Sequence, residues 1–150
     1  MKKILAMLIL PGFLLACHSK NESNAAVEPA TENHGHDDHA SGLVLNNGAK
    51  WKADSSTIGN VDLLQKVVSG AKKESLENYL QTAAQLEAGL NKMVSECKMQ
   101  GADHDALHLW LEPLMKRSKD LKKATTAGDA ATLLNEIDKQ VNLFSQYFEK

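Results

Sequence analysis

The chain has 150 residues, of which 43% are apolar and 24% charged, enough for one globular domain with one modest core. Its formal net charge is −2. Lys and Arg are mixed with Asp and Glu along helical stretches, which excludes the clustered basic surface that nucleic-acid binding needs.

Lys2 and Lys3 give the chain a positive start, and an apolar run from Ile4 to Leu15 follows, broken at Pro11-Gly12. This is the layout of a secretory signal peptide over residues 1–16. The run is too short to span a bilayer, which takes about 20 residues. Leu14-Leu15-Ala16-Cys17 resembles the lipobox of bacterial lipoproteins. The resemblance implies cleavage before Cys17 and acylation of that residue by several chains. Durable anchoring needs more than one chain, since each buried CH2 contributes about 0.8 kcal/mol. The expected partner is therefore a membrane, reached through the N-terminal lipid. His18 stands where the lipoprotein sorting rule places an Asp for inner-membrane retention, so the resemblance points to the outer membrane. Removing a leader that contains Lys2 and Lys3 takes the net charge to −4.

Residues 17–42 form the lipidated cysteine and a tether. From His18 to Ser41 the chain is rich in Asn, Ser, Ala, Glu and His with almost no large apolar residue, a composition that cannot offset the entropy of ordering. Within it, His34-Gly35-His36-Asp37-Asp38-His39 offers three imidazoles and two carboxylates in six residues. Such a cluster can collapse round copper, zinc or nickel, or serve as a polar spacer.

Residues 43–150 read as an all-α domain. Leu43-Val44-Leu45 and Ala49-Lys50-Trp51-Lys52 flank the turn formers Asn46-Asn47-Gly48, the pattern of a short hairpin or extended segment. Leu45 and Trp51 are expected to cap one end of the helices. A first helix runs from Thr57 or Asn60, each a candidate N-cap, to Ser69, with Gly70 as its stop. A second spans Glu74 to Met99, with Leu76, Leu80, Ala83, Leu90, Val94 and Cys97 near heptad spacing and Gly101 following. The third starts near Asp103, carries Leu107, Trp110, Leu111, Leu114 and Leu121 on one face, and is bent at Pro113. The fourth follows Gly128-Asp129 and buries Leu134, Ile137, Val141, Phe144 and Phe148. Four helices with short links predict an up-and-down four-helix bundle.

The segment from Cys97 to His108 carries the candidate chemistry. His104 and His108 are four apart, so on one helix their rings stand one turn above the other. Cys97 and Met99 end the preceding helix, and a bend at Gly101 folds them toward the imidazoles. Met115 falls on nearly the same stripe. Thiolate, thioether and imidazole together suit copper, with zinc as an option through Cys97, His104 and His108. The structural alternative is that Cys97 is a small buried apolar group and the methionines fill gaps. With Cys17 acylated, Cys97 has no partner within the chain for a disulfide; it is then buried, bound or paired between molecules.

Leu-Asn-Asn-Gly-Ala-Lys-Trp at 45–51 and Cys-Lys-Met-Gln-Gly at 97–101, with His104, His108 and Trp110, resemble uncharacterised envelope lipoproteins of Bacteroidetes-type bacteria. The resemblance covers most of the mature domain and implies a location, not an activity. No Ser-His-Asp order, HExxH pair, glycine-rich phosphate loop or acid/base carboxylate couple is present, so no enzyme is expected. The reading is an envelope lipoprotein that binds a transition metal, copper first, through Cys97, Met99, His104 and His108, with His34, His36 and His39 as a loose capture segment. The alternatives are haem held by His104 or His108 and a methionine, and an interaction lipoprotein with incidental histidines.

Overall fold

The structure is a computed structural model that describes residues 42–150. The expectations for the leader, for Cys17 and for His34, His36 and His39 lie outside the described residues. Four helices make up the domain: α1 (Ser55–Ser69), α2 (Leu76–Glu96), α3 (Gly101–Lys122) and α4 (Ala127–Tyr147). Two short strands, β1 (Trp51–Lys52) and β2 (Phe148–Glu149), flank them. The links between helices are six, four and four residues long, so each helix turns back onto its predecessor. α1 packs on α2, α2 on α3 and α3 on α4, and α4 closes onto α1. The result is the all-α four-helix bundle that the periodicity predicts.

Helix starts follow side-chain caps. α1 begins earlier than Thr57 or Asn60, because the Asp54 carboxylate accepts from the Thr57 backbone N–H at 2.6 Å. Thr57 and Asn60 instead face inward, 1% and 3% exposed. Ser75 caps α2, and Thr126 caps α4 while its hydroxyl also meets the Asp129 carboxylate at 2.7 Å. α2 stops at Glu96, short of the Met99 end predicted from sequence. Its C-cap Cys97 is extended (φ −63°, ψ 127°), and the next N–H, on Lys98, goes to Asp54. Gly101, at φ +65°, opens α3 rather than ending α2.

The buried face of α2 is rotated from the expected one. Tyr79, Thr82, Ala83, Leu86, Leu90 and Met93 point inward, while Val94 is 52% exposed. Tyr79, Leu86 and Met93 recur at a spacing of seven, a stripe parallel to the one drawn through Leu76, Ala83 and Leu90. α1 and α2 approach closely at Gly89, where a Cβ would stand 2.8 Å from the buried Leu64 Cδ2.

The N-terminal segment differs from a hairpin. The Asn46–Ala49 turn forms as expected, with reciprocal backbone hydrogen bonds at 2.9 and 3.0 Å and positive φ at Asn47 and Gly48. β1, however, pairs in parallel with β2, Trp51 opposite Phe148 and Lys52 opposite Glu149. Two residues per strand are too few to hold a hairpin, whereas the C-terminal strand is already fixed to the core by Phe148, 3% exposed. Leu43, 6% exposed, covers the core in place of Leu45, which is 40% exposed. Trp51 is half-buried against the core, as expected, and its indole N–H donates to the Val44 carbonyl at 2.7 Å.

Candidate metal site

Cys97 sits between two anchors supplied by the N-cap and first two turns of α1. On one side, the Ser56 hydroxyl donates to the Glu96 carbonyl at 3.0 Å and the Asn60 amide donates to the Glu96 carboxylate at 2.9 Å. On the other, the Lys98 N–H donates to Asp54 Oδ2 at 2.9 Å. The Cys97 N–H still bonds to the Met93 carbonyl at 3.0 Å, closing the last turn of α2. The thiol therefore leaves a backbone held from both flanks.

The charges in this clasp are stabilised by their donors. Burial acts to raise the Asp54 pKa but is outweighed by donors from Thr57, Lys98 and Ser56, which hold it at about 2 against an ordinary 3.8. Lys92, paired with Glu96 one turn on, and the Asn60 amide hold the Glu96 carboxyl below its usual range.

His104 and His108 lie in the first two turns of α3, whose start is fixed by Asp103: its carboxylate accepts from the Lys52 backbone N–H at 2.9 Å. The two Nε2 atoms stand 3.2 Å apart, with ring centroids at 4.7 Å. His104 is half-buried and His108 lies at the rim, its side chain 53% exposed. His108 Nδ1 faces Glu112 Oε1 at 3.6 Å. The contact between the two Nε2 atoms is a hydrogen bond, one ring donating and the other accepting according to tautomer.

Between α2 and α3 is a cavity of about 50 Å³ lined by Met93, Val94, Cys97, His104, Leu107, His108 and Leu111. Cys97, at the end of α2, and His104 and His108, on α3, thus border the same cavity from its two sides. Met99 does not border it. That side chain, 9% exposed, belongs to the hydrophobic core beyond the end of α2, because the chain leaves the helix at Cys97. Met93, not Met99, is the methionine that lines the cavity. Sequence reasoning missed it, although its position four before Cys97 was a usable signal. Met115 is half-buried against the core and does not line the cavity. Among the described residues, no three His, Cys, Asp or Glu side chains stand together as a group that could hold a metal ion.

A second, open groove of about 530 Å³ runs along α3 and α4 past Leu109, Pro113 and Leu133. Its cations are matched within it, Lys116 by Asp120 at 2.9 Å and Arg117 by Glu136 at 3.2 Å. It presents no concentrated charge for a ligand. No helix among the described residues is long and apolar enough to cross a membrane. No protein-family model, curated protein or solved structure matches the chain.

Proposed function

We propose that this chain is a lipid-anchored envelope protein, held at the outer membrane through Cys17, whose bundle binds a transition metal ion, copper above zinc, between α2 and α3. The observation that carries the reading is the imidazole pair: Nε2 atoms 3.2 Å apart on the wall of a cavity that Cys97 also lines. Two nitrogens bound at 2.0–2.1 Å to one tetrahedral ion are separated by about 3.4 Å, so the pair already has close to the required bite. Cys97, which lines the same cavity, supplies the third ligand. His34, His36 and His39 act as a capture segment ahead of it. A cavity of about 50 Å³ suits an ion with a water; a haem needs a pocket of several hundred Å³.

The test is equilibrium dialysis of the full chain in detergent against Cu(I), without oxygen, and against Zn(II). The tether histidines are replaced by Ala in every sample. One ion per chain is expected for intact His104 and His108, and none after His104→Ala/His108→Ala, with helicity checked by circular dichroism. Equal stoichiometry in the two samples would remove the bundle site.

A further inference from the structure

Resting on the metal-binding reading, we infer that Met93 supplies a thioether ligand to this site and that the set His104, His108, Cys97 and Met93 selects Cu(I) over Zn(II). Met93 and Cys97 are one turn apart at the end of α2, joined by the Cys97 N–H to Met93 carbonyl hydrogen bond, so both side chains face α3. Met93 is fully buried, 0% exposed, and forms part of the cavity wall opposite the imidazoles. A buried methionine ordinarily fills space. Here its neighbours at the cavity are a thiol and two imidazoles, and soft thioether and thiolate donors favour Cu(I).

Charge points the same way. The remaining walls, Val94, Leu107 and Leu111, are apolar. Cu(I) with one thiolate and two neutral imidazoles is neutral and costs little to enclose; Zn(II) with the same ligands keeps one positive charge. The Glu112 carboxylate, 3.6 Å from His108 Nδ1, lies outside the cavity with 72% of its side chain exposed, where solvent screens it.

The experiment compares Met93→Leu with Met99→Leu in the full chain lacking the tether histidines. Leucine conserves volume and keeps the core filled. Affinities are read anaerobically by competition with a chromophoric Cu(I) chelator and, separately, a Zn(II) chelator. Met93→Leu is expected to weaken Cu(I) about tenfold or more, with Zn(II) changing less than about twofold, and Met99→Leu to leave both unchanged. X-ray absorption of the copper form should show two sulfur neighbours in the parent and one in Met93→Leu. Parent-like Cu(I) affinity in Met93→Leu, equal loss of both metals, or a Cu(I) loss in Met99→Leu overturns the assignment. These outcomes are separable from failure of the site itself, which is read from His104→Ala/His108→Ala: if that variant loses metal while Met93→Leu does not, the thioether assignment alone falls.

Discussion

Trp110 and Gln140 each donate a hydrogen bond to the other's backbone carbonyl, the indole N–H of Trp110 at 2.7 Å and the amide of Gln140 at 2.8 Å. Both are sealed from solvent, 0% and 2% exposed. The exchange fixes the register of α3 against α4 at the level just beyond His108. Trp110 also meets Phe144 edge-on at 5.1 Å, and Phe144 stacks on Phe148 at 4.7 Å. The same aromatic column therefore holds the strand that pairs with β1.

Breaking this exchange destabilises the bundle. Trp110→Phe leaves the Gln140 carbonyl without its indole donor and opens a void, at a cost of about 2–4 kcal/mol. Gln140→Ala keeps the indole bond and costs less, about 1–2 kcal/mol. Urea unfolding followed by circular dichroism measures both, and the order Trp110→Phe above Gln140→Ala is the expected result.

Asp54 gives the fold an acid-sensitive cap. Its folded pKa, about 2, lies below the ordinary 3.8, so its stabilisation is present above about pH 4 and is lost as pH falls toward 2. After allowance for solvent screening this amounts to about 1 kcal/mol. Asp54→Ala should cost about 1–2 kcal/mol at neutral pH through loss of the cap. Asp54→Asn keeps a cap oxygen and should show a shallower loss of stability between pH 4 and pH 2 than the parent, measured by urea midpoints across that range.

Pro113 lies inside α3 and deprives the Leu109 carbonyl of its usual donor. It is half-buried and borders the open groove. Pro113→Ala restores that bond and should stabilise the domain by about 1 kcal/mol, raising the thermal midpoint. A lowered midpoint would show that the proline ring's packing outweighs the missing hydrogen bond.

Anchoring is expected to depend on Cys17 alone. In cells fed a labelled fatty acid, the parent chain should carry label and sediment with membranes, and Cys17→Ser should lose both properties. The metal stoichiometry of the bundle should be the same in each, because the proposed metal site lies in the folded domain.

The helix count, the stop at Ser69, and the inner faces of α3 and α4 were legible because long amphipathic stretches repeat one geometric rule many times, whereas α4 begins at Ala127, ahead of the predicted Gly128-Asp129 start. Leu107, Trp110, Leu111, Leu114 and Leu121, and Leu134, Ile137, Val141 and Phe144, are all buried as the pattern predicts. The pairing of His104 with His108 was legible for the same reason, since a spacing of four within one helix is local geometry.

By itself the sequence determined the bundle, the two-imidazole stripe and the tight turn at Asn47-Gly48, all consequences of contacts within a few residues. Tertiary structure decided where α2 ends, because the next backbone N–H that would extend it, on Lys98, is claimed by Asp54, far away along the chain. That single competition sends Met99 into the core, leaves Met93 beside the thiol and sets Cys97 facing α3. Likewise β1 found its partner in the C-terminal residues rather than in its neighbours. Such choices depend on which distant group offers the better hydrogen bond or the deeper burial, and that is fixed when the helices assemble.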